Sequence, residues 1–281
     1  MGNKKFSRFA ALRSSVIVGL LPVTVVVAGC GISTQQEAQM GAQYAADLNR
    51  QIPIVSDPTA HRAINVLGDQ IARHGSRGID YTFYIVNANQ VNAFAVPGGY
   101  VYVNRGLIDR ISNWSELAGV LAHEIGHVEE RHGVQQMERA QTANMGLTLA
   151  YVLLGRSPGG LERAAINVGG SVVFARYGRE AEDEADRVAI PLMLAARVDP
   201  RGLVSMFNKL MAEQRRSPTR VEQWFSTHPT TQDRVATTQA RISRLPASQL
   251  RGLTTSSSTF TQLKSRLRQL PAAPAQQALR R

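Results

Sequence analysis

The chain has almost no cysteine and no long run of apolar residues. Cys30 is the only cysteine among 281 residues, so no disulfide can form within one chain and other interactions must hold the folded state. The apolar runs from Met145 to Leu154 and from Ala164 to Phe174 are shorter than the roughly 20 residues that a membrane-spanning helix needs. We expect these two runs to be buried core helices or parts of a hydrophobic groove.

The sequence also lacks the signatures of several functional classes. The formal net charge is +11, but no block of Lys and Arg with interleaved aromatic residues and no nucleic-acid-binding motif accompanies it. We find no internal repeat, no phosphate-binding glycine loop and no Ser-His-Asp signature. The charge is therefore more consistent with a surface near anionic lipid than with nucleic-acid binding. The length allows one large domain or two small ones, and the 43% hydrophobic content supports a packed core.

The N-terminus reads as a targeting segment. A basic start is followed by an apolar stretch from Val16 to Ala28, and Val27-Ala28-Gly29-Cys30 resembles a bacterial lipobox. We predict that residues 1–29 are a lipoprotein signal peptide and that Cys30 becomes the lipid-modified first residue. An uncleaved anchor helix or an ordinary signal peptide are the alternatives. Gly31 rather than Asp follows Cys30, which by analogy with such proteins favours the outer membrane, on the periplasmic side of the bacterial envelope.

The strongest chemical signal is an HExxH motif inside a helical pattern. His123 and His127 are four residues apart, so a helix would offer both imidazoles to one metal ion. Glu124 is rotated about 100° from His123, which lets its carboxylate reach a water at the metal without being a ligand. Asn113 is placed to cap this helix, and Gly133 is a plausible end. The alternative is an ordinary amphipathic helix with a His pair and an exposed Glu.

A catalytic zinc site needs a third protein ligand. The metzincin continuation is absent, and His132, five residues after His127, is interpreted as a surface residue that points away from the metal face. The acidic segment further along the chain could supply the ligand from Glu182, with Asp186 hydrogen-bonded to a ligand imidazole. An acidic run is usually a solvated helix face, and the residues alone leave three rivals for the ligand: Glu180, Asp183 and Glu184.

The remaining patterns predict an α+β fold that is mostly helical. We expect helices at residues 34–51, from Asp57-Pro58 onwards, through the Glu182 segment to about Ala196, and from Asp199-Pro200 onwards. Three alternating segments predict strands, with Pro97-Gly98-Gly99 as the turn between the last two: Tyr81 to Val86, Val91 to Val96 and Tyr100 to Val103. Residues 30–245 are assigned to one domain, and residues 246–281 to a linker and a basic tail with a short helix from Phe260 to Leu270.

Four motifs in order resemble metallopeptidase family 48, most closely its periplasmic lipoprotein members. The HExxH motif is followed by Arg179-x-x-Glu182-x-x-x-Asp186. Asn92 to Tyr100 carries Asn-Ala-Phe and Pro-Gly-Gly, and Ser226 to Pro229 reads Ser-Thr-His-Pro with Arg234 after it. The similarity runs from about Gln35 to Leu245.

The resemblance implies a zincin-like fold with one zinc ion per chain. By this resemblance the ligands are His123, His127 and Glu182, the base is Glu124, and supporting roles fall to Arg179, Asp186 and His228. His228 would stabilise an oxyanion or, in a resting enzyme, bind the open metal position. Tyr177 and Tyr151 are candidate oxyanion donors on residue type alone.

The expected function is that of a zinc endopeptidase acting on misfolded or unassembled cell-envelope proteins. An edge strand within Asn92 to Tyr100 could bind an extended substrate by strand addition, although a plain hairpin fits the sequence equally well. The first alternative is a periplasmic chaperone or assembly factor with a latent zinc site. The second is a lipoprotein with a coincidental motif, which would hold no stoichiometric metal.

Overall fold

The computed structural model describes residues 31–141 and 176–273. The predicted signal peptide, Cys30, the apolar runs between Met145 and Phe174, Tyr151 and the end of the tail lie outside these residues and stay predictions. No helix within the described residues combines the length and apolar character needed to cross a membrane.

Eleven helical segments lie in the described residues. The first five are α1 (Thr34–Gln51), α2 (Pro58–Ala72), α3 (Arg105–Arg110), α4 (Trp114–Glu129) and α5 (132–141). The other six are α6 (Arg179–Ala195), α7 (Arg201–Arg216), α8 (Pro218–Thr227), α9 (Gln232–Ser243), α10 (Ala247–Leu250) and α11 (Ser258–Gln269). The mostly helical α+β prediction is confirmed.

Local capping explains why the predicted starts of the first helices are right. The Ser33 hydroxyl accepts a hydrogen bond from the backbone N–H of Gln36, and the Gln36 side chain accepts one from the backbone N–H of Ser33. Asp57 caps α2 through the backbone N–H of Ala60, with Pro58 in the first turn. These signals involve neighbours in sequence and can therefore be read without a fold.

The sheet has three strands in the order β1-β3-β2. The strands are β1 (Thr82–Val86), β2 (Ala93–Val96) and β3 (Tyr100–Asn104). β1 is parallel to β3, with Phe83 opposite Val101, whereas β2 is antiparallel to β3, with Ala95 opposite the same Val101. The predicted Pro97-Gly98-Gly99 turn joins β2 and β3, and both glycines take positive φ angles, 85° and 95°, that suit glycine.

Alternation along the strands divides the apolar residues between two clusters. Val101 and Val103 of β3 face the main core with α2 and α4, while Tyr102 faces a smaller cluster with Leu48 of α1. Tyr102 stacks on Phe94 of β2 at a ring distance of 4.9 Å. Since side chains alternate across a strand, this small sheet buries both faces and seats α4 against β2.

Helix α4, which carries HExxH, is buried along almost its whole length. The Asn113 side chain accepts a hydrogen bond from the backbone N–H of Glu116 at 3.2 Å, as its capping position predicts. The predicted end at Gly133 is wrong. The helix ends at Glu129, Arg131 takes a φ of 58°, and the chain turns into α5. Gly133 therefore lies inside the following helix.

The C-terminal helices complete the core. Helix α7 follows Asp199, whose carboxylate accepts from the backbone N–H of Arg201. Helix α11, assigned from sequence to the tail region, packs against α2 and buries Phe260, Leu263 and Leu267. Apolar residues three and four apart explain that packing, because they share one helix face.

Candidate metal centre

Four buried side chains, three from two helices and one from the residue that follows a third helix, meet at one point. Helix α4 supplies His123 and His127, α6 supplies Glu182, and His228 follows directly after α8. One possible ligand atom from each lies within 4.8 Å of the others. Each of these residues is at most 1% exposed to solvent. Among the described residues, this is the one cluster of metal-ligand side chains with such geometry.

Four distances between ligand atoms of the cluster are close to those expected around a tetrahedral zinc ion. His123 Nε2 lies 3.1 Å from His127 Nε2 and 3.3 Å from His228 Nδ1. Glu182 Oε1 lies 3.4 Å from His127 Nε2 and 3.0 Å from His228 Nδ1. Zinc–ligand bonds of about 2.0–2.1 Å place tetrahedral ligands about 3.3 Å apart. Three imidazole nitrogens and a carboxylate oxygen are also a donor set that zinc accepts.

A buried ion-pair network lies behind two members of the cluster. Asp186 Oδ1 is 2.9 Å from His123 Nδ1, so the His123 Nδ1–H can donate to this carboxylate and leave Nε2 free. Arg234 of α9 donates to both Asp186 oxygens at 2.7 and 2.8 Å and also to Glu182 Oε2. Burial alone would raise the pKa of Asp186, but Arg234 and His123 together hold it at about 2.

The buried carboxylate of Glu124 lies next to the cluster. Neither of its buried carboxylate oxygens has a hydrogen-bond partner among the described residues. The nearest cationic candidate is His228, whose Nε2 is 3.5 Å from Glu124 Oε1. Burial raises the pKa of Glu124, although the charges of His228 and His123 oppose this shift. A buried carboxylate that accepts no hydrogen bond and lies beside a set of metal-ligand side chains is suited to accept a proton and to hold it.

Burial and the neighbouring charges also shift the pKa values of three cluster members. Burial lowers the pKa of His127 well below its ordinary value and keeps the ring neutral, as a ligand must be. Burial opposes ionisation of Glu182, but His228 and Arg234 together hold the pKa of its carboxyl well below the usual range. Burial likewise opposes protonation of His228, yet the carboxylates of Glu182 and Glu124 raise its pKa.

His132 does not lie where the sequence analysis places it. The residue is 3% exposed rather than on the surface, and its Nδ1 is 2.9 Å from His127 Nδ1. The positive φ of Arg131 reverses the chain after α4 and returns His132 to the back of the His127 ring. One continuous helix over residues 123–132 would point His132 away from the metal face, but the helix ends at Glu129.

The structure also separates the acidic residues that the sequence could not rank. Glu182 reaches the cluster, whereas Asp183 forms two 2.8 Å hydrogen bonds with Arg241, and Glu184 lies 3.0 Å from His132. Glu180 is exposed. Arg179 is exposed at the start of α6, and no hydrogen bond or ion pair joins it to the described cluster. Arg234, which the sequence predicts only as part of a motif, pairs with the Asp186 and Glu182 carboxylates at the site.

Tyr177 lies flat against one imidazole of the cluster. Its ring centre is 4.0 Å from that of His127, at an interplanar angle of 18°. Its backbone N–H donates to the carbonyl of Thr227, next to His228. Burial raises the pKa of the Tyr177 phenol, so it stays a neutral hydrogen-bond donor. The side chain therefore limits rotation of the His127 ring.

Comparison with protein families gives a match that spans the whole site. The model of Peptidase family M48 matches residues 56–242, which include α4, α6 and all but the last residue of α9. His123, Glu182 and His228 all lie within the match.

Several curated relatives carry protease names. A β-barrel assembly-enhancing protease of Yersinia pestis is 32% identical over 236 residues, which cover 80% of this chain and 48% of the relative. Metalloprotease LoiP of Escherichia coli strain K12 is 30% identical over 182 residues, 64% of this chain and 68% of LoiP. A mitochondrial metalloendopeptidase OMA1 of Schizosaccharomyces pombe is 28% identical over 178 residues, 63% of this chain and 51% of that protein. The chain spans about half the length of the β-barrel assembly-enhancing proteases that it matches.

Proposed function

The chain belongs to peptidase family M48, and from this premise we propose that it is a zinc-dependent endopeptidase of the bacterial cell envelope. The observation that carries the proposal is the buried donor set of His123, His127, Glu182 and His228, whose ligand atoms lie within 4.8 Å of one another, with the unpartnered carboxylate of Glu124 beside it. We assign one zinc ion per chain to His123, His127 and Glu182.

The side chains divide the work of peptide hydrolysis. When bound, zinc would lower the pKa of a water to about 7 and polarise the scissile carbonyl. Glu124 would take the proton from the attacking water and pass it to the leaving amine, a role that its burial-raised pKa supports. Asp186 would hold the His123 ring with Nε2 turned inward, and Arg234 would hold Asp186 and Glu182 in place.

His228 would close the site in the conformation described here. Its Nδ1 is 3.0 Å from Glu182 Oε1 and 3.3 Å from His123 Nε2, so it would be a fourth ligand to a zinc ion held by the other three residues. A catalytic zinc site keeps its fourth ligand position for water or substrate. His228 would therefore have to leave before substrate is cleaved.

Strand β2 is the proposed place for substrate. It is an edge strand, and its residues Ala95 and Val96 line the same small cavity as His127 and Tyr177. An extended peptide paired with an edge strand at this place would carry its backbone past the metal ligands. Strand addition gives affinity from main-chain hydrogen bonds, which suits a protease that acts on varied unfolded segments.

We further propose that the substrates are misfolded or unassembled envelope proteins. Relatives are named β-barrel assembly-enhancing proteases, and the sequence at Cys30 predicts lipid attachment on the periplasmic side, in the outer membrane. The position of His228 supports the chaperone alternative. If the protein supplies all four ligands to the metal, no ligand position is left for water or substrate, and the site need not catalyse cleavage.

One experiment separates these two functions. The full chain is incubated with an unfolded outer-membrane β-barrel protein, and both its aggregation and its fragments are followed. A peptidase produces fragments with the wild type and none with Glu124→Gln. A chaperone suppresses aggregation equally with both proteins and produces no fragments, which would overturn the endopeptidase assignment.

A further inference from the structure

A buried carboxylate of the first helix lies at the C-terminal end of α4. Glu37 of α1 is only 2% exposed, and a glutamate is almost never so buried unless a cation pairs with it. Arg77 supplies that cation and donates to both Glu37 oxygens, at 3.1 and 2.6 Å. The same guanidinium donates at 2.6 Å to the carbonyl of Val128 in the last turn of α4. Arg77 thus joins Glu37 to the end of the helix that carries His123 and His127.

Arg131 brings a second cation to the same carboxylate. Its Nε lies 3.3 Å from Glu37 Oε2, and its Nη2 donates to the carbonyl of Ile32, just before α1. The φ of 58° at Arg131 turns the chain from α4 into α5. A residue other than glycine keeps such a φ only where its surroundings hold it there. The contacts of the Arg131 side chain with Glu37 and with the start of α1 supply that restraint.

The turn at Arg131 decides where the next residue lies. His132 follows it and packs its ring against that of His127, with the ring centres 5.0 Å apart. A ring packed behind a ligand imidazole limits the orientations that the imidazole can take. Glu37, Arg131, His127 and Tyr177 also line one small cavity together. The carboxylate from α1 and a proposed zinc ligand therefore border the same space.

We propose that Glu37 is a positioning residue for the metal centre: through Arg131 it holds the turn after α4, and this turn keeps His132 packed behind His127. Helix α1 then supports the site, although the donor set contains none of its residues. The inference rests on the proposed zinc function for its purpose, whereas the effect of Glu37 on the turn is a property of the chain without metal.

The opposite end of α4 offers a matched control. Glu116 in the first turn of α4 is also 2% exposed. It pairs with Lys209 of α7 at 2.6 Å and accepts from the Ser205 hydroxyl at 2.8 Å. Removal of either glutamate's carboxylate should cost stability, because a cation loses its partner. Only the loss of Glu37 should loosen the turn between α4 and α5.

Hydrogen exchange in the metal-free full chain reports on this turn directly. The backbone N–H groups of residues 130, 131 and 135 all donate to carbonyls around the turn. They should exchange about tenfold faster in Glu37→Ala than in the wild type, because local opening becomes easier, and at the wild-type rate in Glu116→Ala. Glu37→Gln keeps an oxygen that can accept from Arg77, so its exchange rate should lie between those of the wild type and Glu37→Ala.

Zinc affinity, from competition with a fluorescent chelator, is the second readout. It should fall about tenfold in Glu37→Ala, since loss of the support behind a ligand imidazole typically costs 10–100-fold. It should stay unchanged in Glu116→Ala. Urea denaturation of each protein gives its stability, so that the two alanine variants are compared under conditions in which both are folded.

Contrary results would overturn the proposal in distinct ways. Equal exchange of the turn in wild type and Glu37→Ala would show that the turn does not depend on this carboxylate. Equal losses of zinc affinity in the two alanine variants would show a general effect of lower stability. Faster exchange of the turn with unchanged zinc affinity would show that the turn does not position the metal ligands. If the wild type binds no zinc, the proposed function fails, whereas exchange in the metal-free chain still decides whether Glu37 holds the turn.

Discussion

Gly126 lies against the backbone of Ala185, so closely that a β-carbon at Gly126 would come within 2.7 Å of the Ala185 carbonyl oxygen. Gly126 stands between Glu124 and His127 on α4, and Ala185 stands between Glu182 and Asp186 on α6. The close approach of the two helix backbones is therefore what brings Glu182 to the imidazoles of α4.

The first prediction is that Gly126→Ala destabilises the protein by about 1–3 kcal/mol, because the added methyl group forces α4 and α6 apart. Zinc affinity should fall with it. Urea denaturation and chelator competition measure the two effects. Gly178→Ala is the control, since a β-carbon there would meet nothing within 4 Å and φ is −74°. Equal stability of Gly126→Ala and wild type would contradict the packing argument.

The second prediction concerns Arg234, which is 8% exposed by its side chain and pairs with Asp186 and Glu182. Arg234→Met should cost about 3–5 kcal/mol, because it leaves two buried carboxylates without their cation. Arg241→Met on the same helix removes a more exposed pair with Asp183 and should cost less than about 1 kcal/mol. Denaturation in urea without metal compares them, and similar losses for both variants would contradict this assignment.

Features formed by neighbouring residues can be predicted from the sequence, whereas the contacts behind these two predictions cannot. The caps of α2 and α4 and the turn before β3 involve adjacent residues, so their patterns predict them correctly. The HExxH spacing also shows that His123 and His127 share one helix face.

Contacts between residues far apart in the sequence have no such local pattern. The pairing of Arg234 with Asp186 joins residues 48 positions apart, and its geometry exists only after α6 and α9 have packed. His132 was misplaced because the end of α4 depends on the positive φ of Arg131, which an arginine rarely adopts. Without the family resemblance, the residues alone could not rank Glu182 above Glu184, since all four acidic residues lie within positions 180–184 of one helix.

The third prediction is that His228→Ala raises basal cleavage of casein, because the variant removes the fourth side chain of the donor set and leaves its place to water or substrate. If one molecule in ten is open in the wild type, the increase would be about tenfold. Zinc content should stay at one ion per chain, with His123, His127 and Glu182 as ligands. Ser226→Ala, an exposed change in α8 two residues before His228, is the control. Loss of cleavage in His228→Ala would show that His228 acts in the reaction rather than closing the site.

The fourth prediction is that metal removal lowers thermal stability and that zinc restores it. The metal-free site buries Glu182 and Glu124 with three imidazoles, and a bound cation stabilises the folded state by mass action. Free zinc at 100 times its Kd should add about 2.7 kcal/mol to the free energy of unfolding. Calorimetry with and without chelator measures this, and His127→Ala should lose most of the zinc-dependent increase. An increase of the same size in His127→Ala would exclude this cluster as the zinc site.

The central claim is that His123, His127 and Glu182 hold one zinc ion for a reaction in which Glu124 moves the proton. Metal content and casein cleavage, measured on the full chain for wild type and Glu124→Gln, test it most directly. We predict one zinc per chain in both proteins and cleavage in the wild type alone. Absence of zinc from both, or equal cleavage by both, would contradict the assignment of this cluster as a zinc peptidase site.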